Sequence, residues 1–380
     1  MRRWRLACSA CDASAPGEAL ASVCPSCGQP WLVVHEGDAP RRDALAARWD
    51  MWRYADALPL REGEAAVSLG EGRTPLLDAP RLARAIGVRR LLVKDESVNP
   101  TASFKARGMS AAVTRARALG VPGLVVPTAG NAGAALAAYG AAAGLPVHVH
   151  APASTPPAIL ATIRAFGAQL ELVDGHIGDA GRRAREDAAA HGLFDVSTLR
   201  EPYRIEGKKT LGLEIAEQLG WRLPDVVVYP TGGGTGLIGM WKAFGEMARW
   251  GWLESSGRPR MIVAQAEGCA PIVRAVGAGA DRATAWENPA THAAGLRVPG
   301  PLGDRLILRA VRESGGDAAA ASEEAIRAAT GCLARETGID AAPEGGCALA
   351  VLEALVRDGR VSRESEVVLF NTGSGASYRG

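Results

Sequence analysis

The chain has 380 residues, 47% of them hydrophobic, so it can bury a large core and form about two domains. Its 43 Lys and Arg residues nearly balance 41 Asp and Glu residues, which excludes a broad basic surface for nucleic acid or an anionic membrane. We therefore expect neither nucleic acid nor a membrane as a partner. No apolar segment follows the arginines at positions 2, 3 and 5, so no signal peptide is predicted and a cytoplasmic location is expected.

The first recognisable element is a pair of Cys-x-x-Cys motifs. Cys8 and Cys11 form one motif, and Cys24 and Cys27 form the other after twelve intervening residues. Two such pairs are typical of a zinc ribbon, in which four thiolates close the coordination shell and the metal is structural. Disulfide bonds are the alternative, but nothing else in the chain indicates secretion. We predict a zinc ribbon over residues 1–35.

A Trp-rich segment, residues 40–59, is predicted to be a helical connector, and residues 91–94 are predicted to be a buried strand. The segment that follows, Asn99–Gly108, places Lys105 in the first turn of a predicted helix. The positive end of a helix, together with partial burial, favours the neutral and nucleophilic form of an amine. A lysine beside another basic residue is otherwise an ordinary solvated side chain.

A second informative segment follows the predicted strand 121–126. It runs from Pro127 through Asn131 to Gly133 and leads into an Ala-rich helix over about 134–143. The free amides at the start of such a helix suit a carboxylate or another anion. Asn131 is predicted either to cap this helix or to face an oxygen of a bound ring.

A third segment joins the predicted strand 226–229 to a helix over 237–250 through a Gly-rich loop. Glycines leave the loop amides open to a phosphate group. Gly234, Gly236 and Gly239 also match the GxGxxG dinucleotide pattern, which is weak evidence alone and leaves the lysine and asparagine segments unexplained. No Lys-Ser/Thr pair follows the glycines, so a Walker loop is excluded.

The chain continues with alternating strands and helices and ends with a strand and a polar turn. The apolar character of the strands on both sides is typical of parallel sheets covered by helices. The strand 367–370 leads to Asn371–Gly375, whose hydroxyl groups suit a pyridine nitrogen. An amine for an aldehyde, an amide for a phenolic oxygen, a phosphate loop and this hydroxyl are together what pyridoxal phosphate requires.

These motifs resemble the tryptophan-synthase-type (fold type II) pyridoxal phosphate enzymes, and among them the threonine synthases. The likeness runs from about residue 65 to the C-terminus and is carried by Asn99–Gly108, Thr128–Gly133, Glu201–Thr210, Pro230–Lys242, Pro343–Gly346 and Asn371–Gly375. The resemblance implies an α/β fold with two parallel-sheet, three-layer domains and the cofactor between them. The smaller domain, 97–200, would carry the lysine, and 36–96 with 201–380 would form the larger domain. A homodimer is also implied.

The resemblance assigns roles to individual residues. Lys105 would bind the cofactor covalently and move protons. The cofactor-binding residues would be Lys105, Asn131, Gly232, Gly233, Gly234, Thr235 and Thr372, with Ser374 as the alternative to Thr372. The substrate-binding residues would be Ser103, Thr128, Ala129, Gly130, Ala132, Arg204 and Lys208, with Lys209 as a further candidate.

The implied reaction is a β,γ-replacement that converts O-phospho-L-homoserine and water to L-threonine and phosphate. Arg204 would bind the departing phosphate, although the basic residues at 204, 208 and 209 could instead form a solvated helix face. Two other hypotheses stay open. One is a related lyase or β-replacement enzyme, such as a threonine or serine dehydratase or an O-phosphoserine-using synthase, and the other is a non-enzymatic binding module. Ala102 departs from the family pattern, in which glycine is usual at that position.

Overall fold

The computed structural model describes residues 3–379. Its strands are β1 (Arg3–Cys8), β2 (Ser14–Pro16), β3 (Trp31–Glu36), β4 (Leu76–Asp78), β5 (Arg90–Asp95), β6 (Leu124–Pro127), β7 (Val147–Pro152), β8 (Gln169–Val173), β9 (Phe194–Asp195), β10 (Val226–Pro230), β11 (Arg260–Ala266), β12 (Asp317–Ala321) and β13 (Glu366–Asn371). Its helices are α1 (Pro80–Ile86), α2 (Lys105–Ala118), α3 (Asn131–Ala143), α4 (Pro157–Ala165), α5 (Ile177–His191), α6 (Tyr203–Gln218), α7 (Thr235–Trp250), α8 (Pro271–Gly277), α9 (Asp304–Glu313), α10 (Glu323–Thr337) and α11 (Pro343–Arg357).

The chain divides into two compact units. The first contains residues 3–73 and 99–210, and the second contains 74–98 and 211–379. Residues 36–73 therefore lie in the first unit, whereas the sequence assigned them to the larger domain. The reason is local packing, because Trp52 and Leu58 are buried in one apolar cluster with Ala111 of α2. The division also falls inside α6, ten residues beyond the expected boundary.

The connector is helical only in part. Met51–Ala57 is a 3₁₀-helix, and Tyr54 inside it departs from helical geometry. Asp50 caps its start by accepting a hydrogen bond from the Trp52 amide at 3.0 Å. The prediction of a helical connector is confirmed for these residues, but the helix is of the tighter 3₁₀ type.

In the first unit, the N-terminal residues form a small antiparallel sheet in the order β2-β1-β3. Trp4 and Leu6 of β1 point inward, while Arg3 and Arg5, which alternate with them, are exposed. This alternation is what a two-faced strand requires when only one face is covered.

The first unit also contains a parallel sheet in the order β8-β7-β6-β9. Leu124, Val125 and Val126 of β6 are buried in succession, which is typical of a strand covered on both faces. The predicted strand 121–126 begins three residues later than expected, at Leu124.

The second unit is built on a six-stranded sheet in the order β12-β11-β10-β13-β5-β4. All its neighbours are parallel except β4, which runs antiparallel to β5. Val228 of β10 pairs with Leu369 of β13, so both strands end at the same edge of the sheet. The loop after β10 and the turn after β13 consequently leave the sheet side by side, at the carboxyl edge where ligands bind in open α/β sheets.

None of the helices in the described part of the chain is long and apolar enough to cross a membrane.

Candidate cofactor and substrate site

The lysine segment folds into a tight turn that ends where α2 begins. The Ala102 amide closes it with a hydrogen bond to the Asn99 carbonyl at 2.8 Å. Thr101 and Ala102 both have left-handed backbone conformations, with φ of 60° and 53°. Lys105 is half-buried and is the first residue of α2, whose N-terminus has no side-chain cap. Its side chain therefore starts at the positive end of a helix.

A second lysine lies against the same turn. The Nζ atoms of Lys105 and Lys208 are each 4.0 Å from the centroid of the Phe104 ring. Lys208 is fully buried and donates a hydrogen bond to the Phe104 carbonyl. The start of α2 and the first turns of α6 thus bring two cationic side chains to one aromatic ring.

The basic residues of α6 are buried, so the alternative of a solvated helix face is wrong. Arg204 is 2% exposed, and Lys208 and Lys209 are 0% exposed. The Nη1 atom of Arg204 donates to the Val196 carbonyl at 2.7 Å. Burial raises the pKa of Glu201, beside Arg204, to about 7, although the guanidinium charge acts in the opposite direction. Arg204 remains cationic because a guanidinium does not lose its proton in proteins.

Ser103 and Thr128 are predicted substrate contacts that also shape their own loops. Ser103 is fully buried, and its hydroxyl accepts a hydrogen bond from the Lys105 amide at 3.4 Å. The Thr128 hydroxyl accepts from the amides of Gly130 (3.1 Å) and Gly133 (3.2 Å). The Thr128 amide is also engaged, donating at 2.9 Å to a carbonyl of β7.

Asn131 is the first residue of α3, and the residue that caps this helix is Gly130. The capping alternative for Asn131 is therefore wrong. The half-buried Asn131 side chain makes no hydrogen bond within residues 3–379, and neither do the amides of Ala129, Asn131 and Ala132. An amide side chain and three backbone donors are thus available at one helix start, the arrangement that binds anions.

In the second unit, the loop between β10 and α7 is closely packed around its glycines. A Cβ atom on Gly232 would lie 2.2 Å from the Gly295 carbonyl oxygen, and one on Gly234 would lie 2.3 Å from Ile307 Cδ1. Gly234 also has a left-handed φ of 75° and precedes α7, which has no side-chain cap. Gly233 and Thr235 complete this loop, whose amides are open to an anion at the helix start.

The turn after β13 contains two hydroxyl groups that differ in their surroundings. Ser374 donates to Asp340 Oδ2 at 3.1 Å and accepts from the Ala376 amide at 3.1 Å. Thr372 is 6% exposed, and its hydroxyl has no hydrogen-bond partner in the described part of the chain. Of the two hydroxyl groups, that of Thr372 is therefore the one left open to a ligand. It leaves the same sheet edge as the glycine loop.

Glu344 supports the glycine loop from behind, a role that the sequence did not predict. It is 5% exposed, and its Oε1 accepts from the Gly295 amide (2.7 Å) and the Tyr378 hydroxyl (2.5 Å). Burial and the neighbouring Glu344 carboxylate raise the pKa of Tyr378 well above its usual value. Because the Gly295 carbonyl lies against Gly232, Glu344 fixes the floor of the loop. The sequence signal was an acidic residue before two glycines.

The four N-terminal cysteines come together as the spacing predicts. Their Sγ atoms lie within 4.8 Å of one another, with Cys8–Cys27 at 3.4 Å, Cys11–Cys27 at 3.6 Å and Cys11–Cys24 at 3.7 Å. None of the four is in a disulfide bond, so the disulfide alternative is wrong. Tetrahedral zinc with Zn–S bonds near 2.3 Å requires Sγ–Sγ distances of about 3.8 Å, and the observed cluster fits that requirement.

The residues present also fit pyridoxal phosphate. The glycine loop is a cradle that Cβ atoms would fill, and its uncapped helix suits a phosphate group. Lys105 and the Asn131 amide in the first unit, and the Thr372 hydroxyl in the second, are groups of the types that the cofactor requires. This combination on parallel α/β sheets defines a pyridoxal phosphate enzyme.

Comparison with known proteins agrees with this class. The family model described as pyridoxal-phosphate dependent enzyme matches residues 67–373, so the chain belongs to that family. It is 36% identical to a threonine synthase of Methanosarcina acetivorans over 374 residues, which are 97% of this chain and 91% of that protein. It is also 36% identical to a threonine synthase of Methanocaldococcus jannaschii over 326 residues, 86% of this chain and 80% of that protein.

Solved structures show the same fold. Maize serine racemase superposes with a TM-score of 0.69 at 22% identity, covering 80% of this chain and 88% of that one. The processed form of threonine deaminase isoform 2 from Solanum lycopersicum superposes with a TM-score of 0.68 at 22% identity, covering 90% of this chain and 93% of that one. The fold type II architecture expected from the sequence is thereby confirmed.

Proposed function

We propose that this chain is a threonine synthase, a pyridoxal-phosphate-dependent lyase that converts O-phospho-L-homoserine and water to L-threonine and phosphate. The likeness to curated threonine synthases, at 36% identity over as much as 97% of the chain, supports this activity. The structural observation that carries the choice of substrate is the pair of buried cations, Arg204 and Lys208, on the helix that reaches the lysine turn. A dianionic leaving group requires such donors, and an unphosphorylated amino acid does not.

The cofactor-binding roles follow from the groups described. The amides of Gly232 to Thr235 would bind the cofactor phosphate, the Asn131 amide its phenolic oxygen, and the Thr372 hydroxyl its ring nitrogen. A neutral hydroxyl at that position would leave the nitrogen largely unprotonated. When bound, the cofactor would supply an electron-accepting ring that stabilises the negative charge left as substrate C–H bonds break.

Residues of the chain would carry out proton transfer, bind the substrate carboxylate and stabilise the departing phosphate. Lys105 Nζ, held at the positive end of α2, would take the substrate α-proton and return protons later in the reaction. The amides of Ala129, Asn131 and Ala132 would bind the substrate carboxylate, while Thr128 and Gly130 hold the loop in shape. Arg204 and Lys208 would stabilise the phosphate as it leaves. Ser103 would help to fix the Lys105 turn through the hydrogen bond that its hydroxyl accepts from the Lys105 amide.

A substrate panel tests the proposal. The purified, cofactor-loaded protein would be given O-phosphohomoserine, O-phosphoserine and L-threonine in parallel. We expect kcat/KM for O-phosphohomoserine to exceed the other two by at least about 100-fold, the discrimination that a site with paired charged groups can provide. A preference for L-threonine would instead indicate a dehydratase, and a preference for O-phosphoserine a β-replacement enzyme.

We further propose that the cysteine cluster binds one structural Zn²⁺ through Cys8, Cys11, Cys24 and Cys27. Its Sγ–Sγ distances support this, and a closed set of four thiolates leaves no coordination position for substrate. Metal analysis should find one zinc per chain, and substitution of the exposed Cys27 by serine should reduce that content.

A homodimer and a cytoplasmic location are proposed as well. The first follows from the resembled family, and the second from a thiol cluster that needs reducing conditions. Light scattering on the purified protein would test the dimer, and fractionation of the source cells would test the location.

A further inference from the structure

The ribbon, defined as residues 3–36, packs directly on the helices of the lysine turn. Its inward side chains share one apolar cluster with residues of α2 and α6, namely Trp4, Leu6, Cys24, Trp31 and Val33 with Ala106, Met109, Ala112, Val113 and Tyr203. The guanidinium of Arg115, from α2, lies 4.9 Å from the centroid of the Trp4 ring and 5.8 Å from that of Tyr203. The Tyr203 hydroxyl donates to the Gly17 carbonyl at 3.1 Å.

A polar contact joins the ribbon to a buried ion pair in α6. Lys209 and Glu206 are both 0% exposed, with Nζ and Oε2 2.7 Å apart. The imidazole Nε2 of His35, in β3, accepts a hydrogen bond from Lys209 Nζ at 3.1 Å. Lys209 also donates to the Ala57 carbonyl of the connector. A buried pair of this kind is stable only while its remaining donors and acceptors are satisfied, so His35 helps to fix it.

The residues of α6 that contact the ribbon lie on one face of the helix, and the two buried cations, Arg204 and Lys208, lie on the opposite face. Tyr203, Glu206 and Lys209 recur every three residues and form the ribbon-facing side of the helix. Arg204 and Lys208 are four residues apart and lie about half a turn away, where Lys208 reaches the Phe104 carbonyl. The backbones of α6 and α2 are also in close contact, because a Cβ atom on Gly207 would lie 2.0 Å from the Arg107 carbonyl oxygen.

We propose that the zinc ribbon is a positioning element for the substrate-phosphate site. The metal joins the end of β1 to the loop before β3 and so keeps the ribbon against one face of α6, and α6 transmits that position to Arg204 and Lys208 on its other face. His35, Tyr203 and Lys209 are the positioning residues, since they act through α6 and do not touch substrate. The inference rests on the proposed function and explains why a structural ribbon is part of this enzyme.

The physical basis is that a ribbon this small depends on its metal for stability. Without zinc, the loop that carries Cys24 and Cys27 loses its link to Cys8 and Cys11. We expect the contacts of Gly17 and His35 with α6 to weaken as a result. Displacement of a charged binding group by about 1 Å lowers binding and catalysis about 100-fold in well-organised sites. Zinc loss should therefore weaken phosphate binding before it affects attachment of the cofactor to Lys105.

The first experiment compares zinc-loaded and zinc-depleted forms of the full-length, cofactor-loaded protein. Inorganic phosphate is the probe. Its inhibition constant is measured as a competitor of whichever substrate the panel above shows to be preferred, and this constant reports the affinity of the site for phosphate. Amide hydrogen exchange is followed in residues 203–210. We expect phosphate affinity to fall at least about tenfold and exchange at 203–210 to accelerate. Exchange in α9 of the second unit should stay unchanged, as should the visible absorption of the lysine-bound cofactor.

Substitutions that leave the cysteines intact separate positioning from general unfolding. His35→Ala should retain zinc and kcat but raise KM for the phosphorylated substrate severalfold. His35→Gln, whose amide oxygen can still accept from Lys209, should recover most of the wild-type KM. Cys332→Ser, outside the ribbon, is the matched control for cysteine replacement and should leave zinc content and KM unchanged.

Unchanged exchange at 203–210 and unchanged phosphate affinity after complete zinc loss would overturn the inference. Equal KM values for His35→Ala, His35→Gln and wild type would do the same. Failure of the proposed function is a separate outcome. It would show as a different preferred substrate in the panel, while the exchange measurement would still report whether the ribbon positions α6.

Discussion

The two hydroxyl residues after β13 show how the structure distinguishes chemically similar side chains. The sequence left Thr372 and Ser374 open as partners of the cofactor nitrogen. Ser374 is already bonded to Asp340 and to the Ala376 amide, whereas the Thr372 hydroxyl has no partner among residues 3–379. This difference depends on Asp340, which is separated from β13 by α11 in the sequence, so spacing alone could not predict it.

This difference predicts unequal effects of two matched substitutions. Thr372→Ala should lower kcat/KM for the proposed reaction at least about tenfold, because one hydrogen bond to the cofactor is worth about 1 to 2 kcal/mol. Ser374→Ala should leave kcat/KM within about twofold of wild type, since its contacts are outside the site. Steady-state kinetics on both variants checks this, and the reverse order of effects would contradict the assignment.

Ala102 carries backbone strain that the sequence only suggested. An alanine in the left-handed region costs about 1 kcal/mol relative to glycine, and Ala102 has a φ of 53°. Ala102→Gly should therefore raise the free energy of unfolding by about 0.5 to 1 kcal/mol, measured by urea titration.

Ala328→Gly provides the control for this substitution. Ala328 is exposed within α10, where glycine should lower the free energy of unfolding by about 1 kcal/mol. A loss of stability in Ala102→Gly as large as that in Ala328→Gly would show that the turn is not strained.

At the scale of single elements, the glycine loop is the part that sequence predicts well. The strand, the glycines and the helix that follow one another in the sequence are also adjacent in space, so local reasoning was sufficient. The supporting Glu344 lies more than a hundred residues away, and no local pattern connects it to Gly232. Local spacing therefore predicted the glycine loop but not Glu344, the residue that supports it.

The close packing of the glycine loop leads to a specific prediction for Gly232. A Cβ atom there would collide with the Gly295 carbonyl oxygen at 2.2 Å, so Gly232→Ala should displace the loop and weaken cofactor binding at least about tenfold. Gly277→Ala is the control, because nothing lies within 4 Å of its Cβ position. Spectroscopic titration with pyridoxal phosphate measures both, and tight binding by Gly232→Ala would contradict the proposed phosphate site.

A histidine cluster between β7 and α5 gives the first unit a pH-dependent contact. Asp187 accepts from His148 and His150 at 2.8 Å each and from His191 at 2.7 Å, and Glu171 lies 3.4 Å from His150. Burial tends to raise the pKa of Asp187, but the hydrogen bonds from His150, His148 and His191 outweigh it and lower the pKa to about 2. A carboxyl with a depressed pKa stabilises the folded state above its unfolded pKa.

The stability that Asp187 contributes to the folded state should therefore be lost on acidification. The Asp187 contribution, roughly 2 kcal/mol, is fully present above about pH 5 and is lost as pH falls through about 2. Asp187→Asn should be less stable than wild type at pH 6, and the difference should shrink towards pH 2. Asp281→Asn, at an exposed position, is the control. A difference that stays constant with pH would exclude this role for Asp187.

Other elements were missed for identifiable physical reasons. β12 contains four consecutive alanines, and a run of alanine favours helix by intrinsic propensity. It is nevertheless a strand because it pairs with β11, from Ile262 to Ala266. β9 has only two residues and pairs with β6. In both cases tertiary pairing decided the structure, and a single segment of sequence contains no signal for it.

At the scale of the whole molecule, the parallel α/β class and the order of the functional segments could be predicted from sequence. The division into units could not, because it depends on contacts between distant segments. Trp52, for example, donates from Nε1 to the Ser110 hydroxyl at 2.9 Å and so joins the connector to α2. Burial of Arg204, Lys208 and Lys209 was likewise unpredictable, since charged residues are rarely buried.

Lys105 is the residue that we propose to carry the chemistry of a threonine-forming enzyme. The most direct test follows phosphate and L-threonine together after O-phosphohomoserine is added to the wild-type protein and to Lys105→Ala. We predict equimolar release of both products by wild type. The variant should lose turnover and the visible absorption of the lysine-bound cofactor. Threonine formation by Lys105→Ala at the wild-type rate, or phosphate release by wild type without threonine, would contradict the account.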